Sequence, residues 1–215
     1  GNEFCPAVGG CVRFGGIMAL TDVSFDVEPH KVVGLIGPNG AGKTTLFNCL
    51  SRLYTPNQGD IQFEGHALLK MSPHQTAEHG IGRTFQNLAL FDKMTVLQNV
   101  MVGRHCRTKA DLLSTALNLP WVGREERQTL EASRELINWL GLESVMNYPA
   151  AGLPFGTLKR VELARALASQ PKLLLLDEPA GGLNHEEVNG LADLIRKLRD
   201  DRKITVLLVE HHMSL

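Results

Sequence analysis

Residues 37–45 read GPNGAGKTT, and the five residues before them, Val32 to Ile36, read VVGLI. A short apolar run closed by glycine is a buried strand ending in a tight turn. A glycine, four residues, a second glycine, then Lys and Thr is the spacing of a loop that grips phosphate. Gly37, Gly40 and Gly42 let the backbone curl until its amide groups converge on an anion, with Pro38, Asn39 and Ala41 completing the loop and Thr45 following it. The helix that begins next, through Leu46, Phe47 and Leu50, aims its positive N-terminal end at the same point. This arrangement places Lys43 for the β- and γ-phosphates of a nucleotide and the Thr44 hydroxyl for Mg²⁺.

A second stretch, LLLLDE at residues 173–178, delivers two carboxylates from a buried strand. Beside a phosphate loop, Asp177 is expected to hold Mg²⁺ through the ion's waters and Glu178 to orient and polarise an attacking water. A third apolar run, Ile204 to Val209, ends at Glu210 and His211. Ligands of open α/β sheets bind outside the carboxyl ends of the strands. If the three strands are parallel neighbours, three polar or glycine-rich turns meet at one edge.

Outward from these motifs, short apolar runs alternate with amphipathic stretches, which predicts an α/β fold with a mainly parallel sheet. Ala19 to Val27 and Asp60 to Glu64 alternate apolar with polar residues and read as antiparallel strands with one wet face. From about Leu97 to Pro149 the pattern is helical. Leu130, Leu136, Ile137 and Leu140 cluster near one face, and Gly141 is the expected C-terminal cap. The expected organisation is one domain over residues 1–215, with a core and β lobe at 1–87 and 156–215 and an inserted helical lobe at 88–155.

The chain has 215 residues, 43% of them hydrophobic, enough for one full core. Lys plus Arg number 22 and Asp plus Glu 23, a net charge of -1 that argues against a nucleic-acid partner. No apolar run approaches the roughly 20 residues that span a bilayer. The start, with Glu3 and Pro6, lacks the pattern of a secretory signal. Cys5, Cys11, Cys49 and Cys106 have no metal-like spacing and read as reduced thiols.

In order and nearly over its whole length, the chain resembles the ATPase domain of ABC transporters. Besides the two phosphate motifs, Gln86 in RTFQN resembles the Q-loop glutamine, a contact to the metal and the attacking water. LPFGT at 153–157 stands where that family carries its LSGGQ signature. GGLN at 181–184 resembles the D-loop, His211 the switch histidine, and Phe14 the aromatic residue that stacks on adenine. The phrases RFGG, FNCL, IGRTFQN and DEPAGGLN resemble most the ATP-binding subunits of branched-chain amino acid importers. The resemblance implies ATP and Mg²⁺ as ligands and a second ATPase subunit, identical or paralogous, whose Phe155 and Gly156 amides close over the nucleotide. It also implies transmembrane permease subunits as partners and a peripheral place on the cytoplasmic face of the membrane.

The signature departs from the family pattern at Pro154, Phe155 and Thr157. A serine at 154 would add one hydrogen bond to a charged phosphate, about 1.5–3 kcal/mol, which proline cannot supply. Proline is tolerated at a helix start, so the anion site is expected to persist in weaker form. The helix after it is expected to bury one face through Leu158, Val161, Ala164, Leu167 and Ala168. Asn184 replaces a common aspartate, keeping hydrogen bonding and losing charge, and His212 stands where an aspartate is frequent. Two other functions fit part of the pattern: a soluble ABC-type ATPase acting on ribosomes or DNA, and a regulatory nucleotide-binding module without turnover. The near-neutral charge, the single ATPase unit and the Asp177–Glu178 pair weigh against them.

Overall fold

In a computed structural model of the chain, which describes residues 12–15, 25–36, 42–56, 59–84, 90–105 and 124–210, the central sheet is parallel. Its strands lie in the order β3 (Val32–Ile36), β8 (Thr205–Glu210), β7 (Leu173–Asp177) and β6 (Ile81–Arg83). A second, antiparallel sheet has the order β2 (Phe25–Val27), β1 (Val12–Gly15), β4 (Asp60–Phe63) and β5 (His66–Ala67). A short helix, α2 (Pro73–Glu78), leads from β5 into β6.

Side chains alternate across a strand with period two, and β7 uses both faces. Leu173 and Leu175 pack with Phe47, Leu50, Ile61 and Phe63, from α1 (Lys43–Leu50) and the antiparallel sheet. Leu174 and Leu176 pack with Val100, Ile137, Val161 and Ile195, from α3 (Val96–His105), α4 (Arg124–Trp139), α5 (Phe155–Ala168) and α6 (His185–Arg202). β8 alternates in the same way, with Leu207 and Val209 on one side and Val206 and Leu208 on the other. Burial on both faces is why these strands read as unbroken apolar runs. The three strands singled out from sequence are parallel neighbours, as expected, although β8 begins at Thr205 and not Ile204.

The helices are fixed by their ends. α4 terminates through Gly141, at φ 69, where the Gly141 amide bonds to the Asn138 carbonyl and the Leu142 amide to the Ile137 carbonyl, both at 2.9 Å. α3 starts behind a reciprocal cap: the Thr95 amide donates to Gln98 Oε1 and the Gln98 amide to Thr95 Oγ1. Asn99, fully buried, accepts from the Phe91 amide and donates to the Phe91 and Thr95 carbonyls, tying the preceding loop to the helix. α6 carries Glu186 and Glu187 in its first turn and Arg199 and Arg202 in its last, matching its dipole at both ends.

α5 corrects one expectation. Val161, Ala164, Leu167 and Ala168 are buried as expected and Leu158 only half-buried, while Glu162, Leu163 and Arg165 are buried as well. The helix has no wet face over this stretch, because the sheet covers one side while α3 and α4 cover another. α3 approaches so closely that a Cβ on Gly103 would lie 2.1 Å from the Arg165 carbonyl oxygen.

Candidate nucleotide site

The strand register decides which residues meet. Ile36 stands opposite Glu210 across β3 and β8, and Asp177 opposite Val209 across β7 and β8. The carboxyl ends of the three strands therefore form one edge, and α1 starts there. Gly42 precedes α1 at φ 81, a left-handed conformation that favours glycine. It offers the helix no side-chain cap, and no acidic residue stands in the first turn. The amides of that turn, with their positive end of the helix dipole, face the edge uncompensated by a cap.

Lys43 is 8% exposed, and its Nζ donates to the Glu210 carbonyl at 3.0 Å. Thr44 is exposed and Thr45 half-buried. The Glu210 side chain turns the other way, and its Oε1 accepts from the Ala180 amide at 2.8 Å. This bond ties the end of β8 to the turn that follows β7. Asp177 is 4% exposed. Its Oδ2 pairs with Arg83 at 2.9 Å, and its buried Oδ1 has no hydrogen-bond partner among the described residues.

Glu178 sits at φ 47, a left-handed backbone that a side chain makes unfavourable by about 1–2 kcal/mol. Neighbours hold it there: its amide bonds to the Val209 carbonyl at 2.9 Å, and its carbonyl accepts from the Gly181 amide at 3.1 Å and from Lys159 Nζ at 3.3 Å. Strain that the surroundings enforce is characteristic of functional positions. Burial pushes the Lys159 ammonium below its ordinary pKa, against the opposing pull of Glu162, Glu210 and Glu178.

The signature segment begins α5. Pro154 is its N-cap at φ −55, and Phe155 and Gly156 are its first helical residues. Phe155 is 46% exposed, with Lys159 Nζ 5.3 Å from its ring centre. Gly156 is closely covered: a Cβ there would lie 2.6 Å from Glu187 Oε1. A cavity of about 260 Å³ is shared by Thr84, Leu176 and Asp177 from the sheet and Gly156, Thr157 and Lys159 from α5.

Of the other sequence-derived candidates, Phe14 lies in β1, paired with Phe25 and Ile61, and its side chain is outside the described residues. Gly37, Pro38, Asn39, Gly40, Ala41, Gln86, His211 and His212 also lie outside them. Asn184 has a structural role that the comparison with aspartate did not bring out. It is the N-cap of α6, its Oδ1 accepting from the Glu187 amide while Glu187 Oε2 accepts from the Asn184 amide, both at 2.9 Å. Arg83, Lys159 and the Glu210 carbonyl were not singled out from sequence. Nothing local in a sequence tells a basic residue which distant carboxylate or carbonyl it will meet.

The family profile described as ABC transporter matches residues 20–181. The chain belongs to the ABC transporter ATPase family. As a member it binds ATP and hydrolyses it. This ABC ATPase is 41% identical over 204 residues to the high-affinity branched-chain amino acid transport ATP-binding protein BraF of Pseudomonas aeruginosa, covering 95% of this chain and 80% of that protein. It is equally similar, over the same shares, to LivG of Escherichia coli K12, which carries the same description. Among solved structures, it resembles the ADP conformation of MJ1267, an ATP-binding cassette of an ABC transporter, with a TM-score of 0.85 and 30% identity over 95% of this chain and 82% of that one. The P-loop core with a mainly parallel sheet and an antiparallel β lobe is thus the fold of its relatives. No helix among the described residues is long and apolar enough to cross a membrane.

Proposed function

We propose that this ABC ATPase drives branched-chain amino acid import. In this reading it is a peripheral subunit on the cytoplasmic face of the membrane, paired with a second ATPase subunit and with transmembrane permease subunits. The 41% identity to BraF and LivG supports the substrate class. One observation carries the chemistry: the register of β3, β8 and β7 sets the start of α1, with buried Lys43, at the same edge as Asp177 and Glu178.

Within this reading the loop from Gly37 to Gly42 grips the phosphates of ATP through its amides. Lys43 exchanges the Glu210 carbonyl for the γ-phosphate, and Phe14 stacks on the adenine. Glu178 orients the attacking water, with Gln86 and His211 beside the γ-phosphate. Phe155 and Gly156 serve the nucleotide of the partner subunit, through the first-turn amides of α5.

The donors present fit Mg²⁺. Asp177 offers a buried, unpartnered carboxylate oxygen and Thr44 an exposed hydroxyl. When bound, the ion neutralises phosphate charge. In sequence, Gln86 lies where the core and β lobe at residues 1–87 and 156–215 give way to the helical lobe at 88–155, which suits it to couple nucleotide state to lobe position.

Purification of the native complex from detergent-solubilised membranes tests the proposal. The chain is expected to travel with a multi-span membrane protein and, in vesicles, to support ATP-dependent uptake of leucine, isoleucine or valine. Fractionation with ribosomes, or salt-sensitive binding to nucleic acid, would contradict it and favour a soluble ATPase.

A further inference from the structure

The turn that follows β7 closes on bonds of its own. The Glu178 amide donates to the Val209 carbonyl at 2.9 Å, the Gly181 amide to the Glu178 carbonyl at 3.1 Å, and the Ala180 amide to Glu210 Oε1 at 2.8 Å. Lys159 nevertheless reaches in from α5, 19 residues earlier in the chain. Its Nζ donates to the Glu178 carbonyl at 3.3 Å and to the Pro179 carbonyl at 3.2 Å. The residue is half-buried, and burial lowers the pKa of its ammonium. A charge is costly in such a place unless acceptors replace its lost water, and these two carbonyls do so. Lys159 Nζ also lies 5.3 Å from the centre of the Phe155 ring. The same ring sits over Gly182, in the turn itself, where a Cβ would come within 2.8 Å of Phe155 Cε1. Phe155 is in the first turn of α5 and Lys159 one turn on. The start of α5 is therefore packed on the Glu178 turn at two points.

Glu178 occupies a left-handed backbone, at φ 47, that its own side chain disfavours. β8 fixes the peptide plane before it, through the amide, and Lys159 with Gly181 fixes the plane after it, through the carbonyl. With both planes set, the Cα–Cβ bond has one direction. Lys159 holds the next carbonyl as well, at Pro179, so this backbone cannot relax without breaking two charge-assisted hydrogen bonds. We propose that Lys159 is a positioning residue for Glu178: from α5 it locks the strained backbone that aims the Glu178 carboxylate. This rests on the reading of Glu178 as the group that orients the attacking water. Catalysis is sensitive to such placement, and a displacement of about 1 Å can cost about a hundredfold in rate. Nucleotide binding, by contrast, belongs to the phosphate loop and Lys43 and does not depend on this direction. Lys159 also joins Glu178 to the helix whose first-turn amides serve the partner subunit's nucleotide, so a shift of α5 is carried to the water-orienting residue.

The test compares ATP hydrolysis with equilibrium binding of a fluorescent, non-hydrolysable ATP analogue in the full chain. Lys159→Met matches the lysine stem as far as Cε and removes the donor. It is expected to lower kcat by about tenfold or more while analogue affinity stays within about twofold of wild type. Lys159→Arg, which keeps a cationic donor, is expected to recover part of that loss, with no recovery as the contrary result. In Glu178→Gln, adding Lys159→Met is expected to slow phosphate release no further, because both changes act through one carboxylate. A wild-type kcat in folded Lys159→Met overturns the proposal, and so does a further fall of about tenfold on top of Glu178→Gln. Should Lys159→Met not fold, Lys159→Gln, whose amide is one atom too short for the two carbonyls, is read the same way. Glu178→Gln alone separates the two claims. Normal turnover there removes the water-orienting role and that of Lys159 with it. Slow turnover there, beside a wild-type rate in Lys159→Met, removes the positioning role only.

Discussion

Gly103→Ala sets two physical effects against each other at a position far from the chemistry. Gly103 lies inside α3, where alanine favours the helix over glycine by about 1 kcal/mol. In the fold, however, the new methyl group would stand 2.1 Å from the Arg165 carbonyl oxygen and 2.6 Å from Arg165 Cγ. The side-chain atom can rotate away. The carbonyl belongs to α5 and moves only with the helix. Real Cβ contacts essentially never fall below 3.0 Å, so the two helices must part locally. Overpacking of this kind costs about 1–3 kcal/mol, and a backbone clash belongs at the upper end. Allowing for the propensity gain, the net loss is about 2 kcal/mol, or roughly 4–8 °C in Tm for a chain of this size. Urea denaturation with an unchanged m-value measures it directly. A variant as stable as the parent, or more stable, would show that α3 and α5 do not touch here and would refute the packing described for the helices. A functional consequence travels with it. α5 bears Phe155 and Gly156 at its start, so its displacement should weaken ATP-dependent pairing of subunits, while nucleotide binding at Lys43 is untouched.

Lys43→Ala should lose nucleotide affinity without losing the fold, because α1 keeps its apolar face; equilibrium binding of an ATP analogue measures the loss, and wild-type affinity would contradict the role given to this side chain. Pro154→Ser restores a hydroxyl at the start of α5 and should leave hydrolysis unchanged or faster, with a clear fall in rate as the contrary result. Asn99→Ala strips the Phe91 amide and the Phe91, Met94 and Thr95 carbonyls of a buried partner and should destabilise the fold by about 2–3 kcal/mol in the same urea assay. An effect near zero would mean that water replaces the amide.

What the sequence made legible depended on how local the physics is. Leu173 to Leu176 could be read as a doubly buried strand because burial on both faces leaves no polar alternation to mislead. Gly141 was legible because a left-handed cap favours glycine, and the start of α5 because proline is tolerated there but not further along a helix. Asn184 carried a local signal too, since Asn followed three residues later by Glu is a capping pattern, but its place beside GGL drew attention to the missing charge. The burial of Glu162 and Arg165 in α5 was not legible, because only the tertiary arrangement of α3, α4 and the sheet covers them. The grip of Arg83 on Asp177 spans 94 residues, and no periodicity reports a contact of that kind.

The central claim is that Glu178, at the end of β7, activates water at a γ-phosphate held by the loop around Lys43. Phosphate release and size-exclusion chromatography of Glu178→Gln in Mg²⁺ and ATP test it together. The expected result is retained ATP binding, hydrolysis slower by about a hundredfold or more, and a nucleotide-bound dimer that accumulates. Normal turnover by a persistent monomer would contradict the account.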